Sequence, residues 1–316
     1  MSDKKVIAVI GATGAQGGGL VRAILADRDG DFAARAITRD PTKEQAQALA
    51  AAGVEIVRAD ISDEESTRAA FEGAYGAFCL TNFWESFSAE TEIDQAGKMA
   101  RAAAAAGIQH AIWSTLEDTR QFIPLDDDRM PTLQDRFKVP HFDAKEESNH
   151  FFTDAGVPTT FLYTAFYWEN FIFFGLGPQR GEDGGLAITY PLGSAKMPAI
   201  ASEDIGKVAY AIFRAGSEYI GKSVHIAGEH LSGSELAAAL TDALGERVTY
   251  NAVEPDLYRT FGFPGADELG NMFQFKRDFE SAYVGARDLD KARALHPGLV
   301  DFRSWLAENG SRIPVT

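Results

Sequence analysis

The sequence predicts an α/β fold: a doubly wound parallel sheet with helices on both faces, followed by a smaller mixed α/β carboxyl-terminal lobe. Three observations predict it. The chain opens on Val6-Ile7-Ala8-Val9-Ile10, a β-branched apolar run of the kind buried on both faces, and glycines follow at 11, 14 and 17. Strand-like runs then alternate with helical patterns up to Tyr163, the signature of βαβ units. Beyond Tyr163 that alternation ends.

Leu20, Val21, Ile24 and Leu25 repeat at helical spacing, so the glycines sit where a strand turns sharply into a helix. Phe32–Thr38 reads as the second strand, Gln45–Ala52 as a helix closed by Gly53, and Val54–Val57 as the third strand. Ser62 and Glu65 have capping-box spacing ahead of the next helix. Tyr75–Leu80 is the fourth strand, and Ser88 caps a long helix with Ile93, Ala96, Ala100, Ala103 and Ala104 inward. The fifth strand is Gln109–Trp113.

Residues 117–140 form a polar loop with Asp126-Asp127-Asp128 and three prolines. The acidic run reads as solvated, and a loop of this length is suited to act as a lid. A helix over His141–Ala155 and a sixth strand over Val157–Tyr163 follow. Aromatic residues cluster at 166–174, where packing is the simpler reading than a substrate stack. Ser202–Arg214 is a helix with Ile205, Val208, Ala209 and Ile212 inward, and Ser232 with Glu235 forms a second capping box before a helix ending at Gly245. A short strand at Val248–Tyr250 and a last helix at 302–308 complete the reading. The expected division is 1–160 for a nucleotide-binding domain, to which the chain returns around 195–215, and 161–316 for the smaller lobe.

With 316 residues, 45% hydrophobic and 24% charged, the composition is that of a globular protein with ample core. The net charge of −16 opposes direct contact with nucleic-acid phosphates. No apolar run is long enough to span a bilayer, and Met1-Ser2-Asp3-Lys4-Lys5 leads directly into the first strand, leaving no room for a signal peptide. A single cysteine, Cys79, in an apolar run, suits a reducing compartment, so a cytoplasmic location is expected, or nuclear in a eukaryote. The histidines show no metal-ligand spacing.

A strand that turns into a helix leaves backbone N–H groups unpaired at the positive end of the helix dipole, a ready site for a diphosphate. Gly11, Ala12, Thr13, Gly14, Ala15, Gln16 and Gly17 therefore form a Rossmann-type dinucleotide corner, with G-x-x-G-x-x-G spacing. The second strand ends in Thr38-Arg39-Asp40. A guanidinium there, with Lys43 nearby, suits a ribose 2′-phosphate and favours NADP(H) over NAD(H). Asp40 either repels that phosphate or starts the turn ahead of Pro41. Asp60 and Ile61 follow strand three where an adenine would lie, and Thr81, Asn82 and Phe83 follow strand four at the dinucleotide crevice. His141 and Lys145, four apart, share a helix face.

Gly-Ala-Thr-Gly-Ala-Gln-Gly at 11–17, Thr-Arg-Asp-Pro at 38–41, Thr-Asn-Phe-Trp-Glu at 81–85, His-Phe-Asp-Ala-Lys at 141–145, Tyr-Trp-Glu-Asn at 167–170 and Phe-Gly-Phe-Pro-Gly-Ala-Asp-Glu-Leu-Gly-Asn-Met-Phe at 261–273 together resemble the NmrA-like family, an atypical branch of the short-chain dehydrogenases/reductases. Active dehydrogenases of that superfamily carry Tyr-x-x-x-Lys; this chain keeps Lys145 and has His141 in the tyrosine position. The resemblance implies a redox sensor or regulator with a protein partner. It also implies cofactor contacts at 11–16, 39–43, 60–61, 81–83, Lys145 and Tyr167, Trp168, Glu169 and Asn170. Ser114 or Thr115 is the candidate carbonyl-polarising hydroxyl, and a homodimer is left open. The alternative is an NADPH-dependent reductase of a quinone, enone or aldehyde, with His141 as acid or with Tyr163 or Tyr167 supplying the proton.

Overall fold

The computed structural model describes residues 4–315; Met1-Ser2-Asp3, read above as leading directly into the first strand, lie outside the described residues. Two compact units are built from interleaved segments. The first comprises the chain through Asp118, His141–Thr164 and Glu203–Val224, and the second Thr119–Pro140, Ala165–Ser202 and the chain from His225.

The first unit is organised on a seven-stranded sheet in the order β3-β2-β1-β4-β5-β6-β11. Its strands are β1 (Lys5–Ile10), β2 (Phe32–Thr38), β3 (Glu55–Arg58), β4 (Gly76–Cys79), β5 (His110–Thr115) and β6 (Thr159–Tyr163), with β11 (Ser223–His225) at the edge. The pairings among β1 to β6 are all parallel. The strand order therefore reverses between β1 and β4, the switch point where such sheets open a crevice at their carboxyl ends.

Helices α1 (Ala15–Ala26), α2 (Glu44–Ala51), α3 (Glu64–Phe71), α4 (Phe83–Ser86) and α5 (Ala89–Ala105) connect these strands, followed by α6 (Pro140–Glu147) and α7 (Asn149–Asp154). Alternate β5 side chains reach opposite faces. Trp113 stacks on Phe152 of α7, whereas His110 meets Phe213 at the end of a later helix. That helix crosses α1 at backbone contact: a Cβ on Gly19 would stand 2.7 Å from Glu203 O, and one on Gly206 would stand 2.1 Å from Leu20 N. Glycine is required at both positions to let the two helices touch.

Cys79 is fully buried in the sheet, and burial pushes its thiol up to about 12. Thiol reagents at mildly alkaline pH are therefore expected to leave the folded protein unlabelled and to react stoichiometrically once urea unfolds it. Labelling of the folded chain at the unfolded rate would contradict this placement.

Several predicted details are corrected. The cap of α3 is Asp63, whose carboxylate accepts from the backbone N–H groups of Glu65 and Ser66 at 3.1 and 3.3 Å. The Ser62 hydroxyl accepts instead from Gln95. On α5 the buried side runs through Ala96, Met99, Ala100 and Ala103, and Ala104 is exposed. The helix expected over His141–Ala155 breaks at Ser148, whose hydroxyl bonds back to Ala144 O at 2.7 Å and bends the chain between α6 and α7.

The second unit carries β7 (Phe166–Tyr167), α8 (Asn170–Phe173), β8 (Gln179–Arg180), β9 (Leu186–Tyr190) and β10 (Lys196–Ile200). The next helix, α9 (Ser202–Arg214), belongs to the first unit from Glu203 onward, with Ile205, Val208, Ala209 and Ile212 all buried as predicted. β12 (Glu229–Ser232), α10 (Gly233–Leu244) and β13 (Val248–Ala252) follow. Two three-stranded sheets result, β12-β10-β7 and β13-β9-β8. The capping box of Ser232 and Glu235 forms as read, and α10 stops at Gly245 with φ +67°. The expected polar loop at 117–140 is only partly so. Ile123, Met130, Phe137 and Val139 are fully buried, and the Asn271 side chain donates to Pro131 O at 2.9 Å. These anchors tie the segment into the second unit.

Candidate functional site

At the β1–α1 corner Gly11 turns the chain with φ +64°, and Gly14 N–H closes the turn on Gly11 O at 2.8 Å. Gly14 is the N-cap of α1 and so supplies no capping side chain, and the first turn contains no acidic residue. By contrast α3, α5 and α10 are capped by Asp63, Ser88 and Ser232. Gly14 thus offers the opening amides of α1 no capping side chain, and Thr13, Gly14 and Ala15 are exposed. Ala12 is buried and Gln16 half-buried. A Cβ on Gly17 would stand 2.5 Å from Gly11 O and 2.7 Å from Ile10 O, so only glycine seats α1 this close to β1. The corner fits a diphosphate: it offers backbone donors, positive dipole and no competing carboxylate.

At the end of β2 the Arg39 guanidinium grips Glu85 of α4 with two hydrogen bonds, Nη1–Oε2 at 2.8 Å and Nη2–Oε1 at 2.9 Å. Asp40 turns back on its own chain, accepting from Thr42 N and Oγ1 at 2.9 and 2.6 Å, and these bonds hold its carboxyl below the usual range. Of its two sequence readings, starting the turn is the one the geometry carries. Lys43 is exposed ahead of α2. Asp60 likewise accepts from Ser62 N at 2.9 Å, and Ile61 packs on the core.

Lys145 on α6 sits in a buried polar cluster. Its Nζ donates to Thr81 O at 3.1 Å, Thr81 Oγ1 at 2.7 Å and Glu92 Oε1 at 2.8 Å. Thr81 Oγ1 in turn donates to Glu92 Oε1 at 2.6 Å. An ammonium has three donors, and all three meet acceptors of the protein. Glu92 was not singled out from sequence. It lies on the buried stripe of α5, four residues before Ala96 and seven before Met99, and a carboxylate at that spacing was the signal.

His141 is 6% exposed, with its ring 5.1 Å from Trp84, 5.7 Å from Phe83 and 4.7 Å from Phe142. Asn82 is exposed, and its side chain donates to Glu85 Oε1 at 3.3 Å. On β5 the Trp113 indole donates to Lys145 O at 3.3 Å, which puts Trp113, and by alternation Thr115, on the α6 face. Ser114 therefore points to the opposite face, and of the two sequence candidates Thr115 is the hydroxyl on the Lys145 side. Tyr163 accepts from Asn149 Nδ2 at 3.0 Å, and burial, then the Glu146 charge, raises its phenol.

The residues expected from 167–170 lie in the second unit. Trp168 is fully buried against Phe302 and Trp305. Glu169 accepts from Ser202 N at 2.9 Å and from the Trp305 indole at 3.1 Å. Both side chains are packing anchors of that unit. Tyr167 and Asn170 are half-buried. Among the described residues no cluster of His, Cys, Asp and Glu could hold a metal ion, and no helix is long and apolar enough to cross a membrane.

The sequence profile of the NmrA-like family matches residues 3–306. The oxidoreductase FrzB of Cladobotryum sp, a protein with an NmrA-like family domain, is 29% identical over 301 residues, 88% of this chain and 85% of its own. The similarly named malD of Malbranchea aurantiaca is 31% identical over 260 residues, 79% and 76% of the two chains. Among solved structures, NmrA, a negative transcriptional regulator in complex with NADP, superposes with a TM-score of 0.78 at 26% identity, covering 97% of this chain and 95% of that one. NmrA has also been solved in complex with NAD. A triphenylmethane reductase of Citrobacter sp. shares the fold at TM-score 0.75 and 20% identity, over 96% and 99% of the chains. On the fold, the glycine corner and a profile match that runs almost end to end, this chain belongs to the NmrA-like family.

Proposed function

We propose that this chain is an NADP(H)-binding regulator that senses nicotinamide dinucleotides without turning them over. The observation that carries the reading is Lys145, whose three donors are consumed by Thr81 and by buried Glu92. Freeing it for a nicotinamide ribose would strip a buried carboxylate of its partner. The similarity to NmrA, a regulator solved with NADP and with NAD, supports the same reading.

The backbone amides at Gly11–Gly17 would hold the diphosphate, Arg39 and Lys43 the 2′-phosphate, Asp60 and Ile61 the adenine, and Thr81, Asn82 and Phe83 the crevice wall. When bound, the nicotinamide supplies a site for hydride gain or loss. The chain's own residues hold the dinucleotide and shield the His141 end with Phe83 and Trp84. With a net charge of −16, regulation would run through a protein partner and not through nucleic-acid phosphates.

A second reading rests on the relatives, which are named oxidoreductases. In it the His141 imidazole gives the proton to the carbonyl of a quinone, enone or aldehyde. The test is NADPH consumption by the pure protein across a panel of such acceptors. Binding with no consumption above the protein-free blank is expected. Sustained consumption lost in both Lys145→Ala and His141→Ala would establish the reductase instead.

A further inference from the structure

Within the first unit, α4 reaches toward both ends of the candidate site. At one end Glu85 forms its two-pronged pair with Arg39, and Asn82 steadies the same carboxylate. At the other end Phe83 and Trp84 flank the His141 ring. Phe87, which closes α4, is held at φ +52°, a left-handed conformation that strains a residue other than glycine. Its ring packs on Phe83 and Trp84, at 6.0 and 5.8 Å. This strained four-residue helix is fastened to β2 through Glu85.

We infer that Glu85 is a specificity-determining residue. Its carboxylate holds, on Arg39, the position that the 2′-phosphate of NADP(H) would take, so a phosphorylated ribose displaces it and loosens α4 around His141. NAD(H) leaves the pair in place. The inference rests on the reading of Arg39 as the ribose-side cation.

Carboxylate and phosphate are the two oxyanions a guanidinium fork binds bidentately, and the edge that serves one is closed to the other. A carboxylate left beside an arriving phosphate also repels it. The two side chains are 62% and 49% exposed, so the pair is weak enough to yield, as a reversible competitor must. The 2′-phosphate would thus be sensed through α4, with Trp84 as the moving reporter. Glu85 acts through Arg39 and is a positioning residue.

The test compares NADP and NAD affinities by calorimetry in the wild type, Glu85→Gln, Arg39→Ala and the double variant. Glu85→Gln is expected to tighten NADP about fivefold, the equivalent of about 1 kcal/mol, and to leave NAD unchanged. In the Arg39→Ala background the same change should leave the NADP-to-NAD ratio unaltered. Adenosine 2′,5′-bisphosphate should shift the tryptophan emission, 5′-AMP should not, and Trp84→Phe should remove the shift. An equal effect on both dinucleotides, or no effect while both still bind, overturns the role of Glu85. A bisphosphate that binds without changing Trp84 emission overturns the coupling through α4. A wild-type chain that binds neither dinucleotide overturns the cofactor reading itself, and this inference falls with it.

Discussion

Replacing Gly17 with alanine is expected to abolish dinucleotide binding and to destabilise the chain. The new methyl would stand 2.5 Å from Gly11 O and 2.7 Å from Ile10 O. Both are backbone atoms of the β1–α1 corner, so no side chain can swing aside. Overfilling a packed contact costs about 1–3 kcal/mol. Relief comes only by pushing α1 away from β1, which carries its opening amides off the diphosphate position. Affinity should fall by at least about a hundredfold, the equivalent of about 2.7 kcal/mol. Gly285→Ala, where a Cβ would meet open space, is the control. Calorimetry for binding and urea unfolding for stability check both parts; wild-type affinity in Gly17→Ala would contradict the packing argument.

The second large effect is expected at Lys145. Replacing it with methionine keeps the volume but leaves Glu92, whose side chain is 2% exposed, with an uncompensated buried charge. Glu92 Oε2 has no hydrogen-bond partner, so the lost interaction has no substitute in place. Removing one partner of a buried pair typically costs about 3–5 kcal/mol. Lys145→Met should lose about that much at neutral pH by urea unfolding, and the double variant Glu92→Gln, Lys145→Met should recover most of it. A loss below about 1 kcal/mol in the single variant would mean that the cluster is solvated and weak. The same pair of variants separates stability from binding, since a lysine whose donors are all taken by Thr81 and Glu92 can be replaced together with Glu92 at little cost to dinucleotide affinity.

The parts of the fold legible in the sequence are those set by neighbouring residues. The limits of β2 at Phe32–Thr38 and of α9 at Ser202–Arg214 follow from local apolar periodicity, and the Ser232–Glu235 cap from a three-residue spacing. The glycine corner is legible for the same reason: the turn, the cap and the close approach all lie within seven residues. What escaped depends on distant partners. Ser62 lost the cap of α3 to Asp63 while its own hydroxyl met Gln95, a residue of α5. The apolar anchors of 117–140 gave no periodic signal, because they are spaced by turns and seated partly by Asn271.

In the candidate site the divide is the same. Lys145 could be read from its spacing to His141, but its acceptors lie 53 and 64 residues earlier in the chain. Arg39 could be read from the end of β2, but Glu85 is 46 residues away, and only the folded sheet brings α4 to it. Trp168 and Glu169 carry a family-like motif, yet their environment is set by Ser202 and Trp305, on segments no local pattern connects.

The central claim is that the β1–α1 corner binds a nicotinamide dinucleotide through main-chain amides. Titrating NADP into the folded chain by calorimetry tests it most directly. One saturable site per chain, lost in Gly17→Ala, is the expected result; a folded protein that shows neither heat nor a thermal shift with NADP, NADPH, NAD or NADH would contradict it.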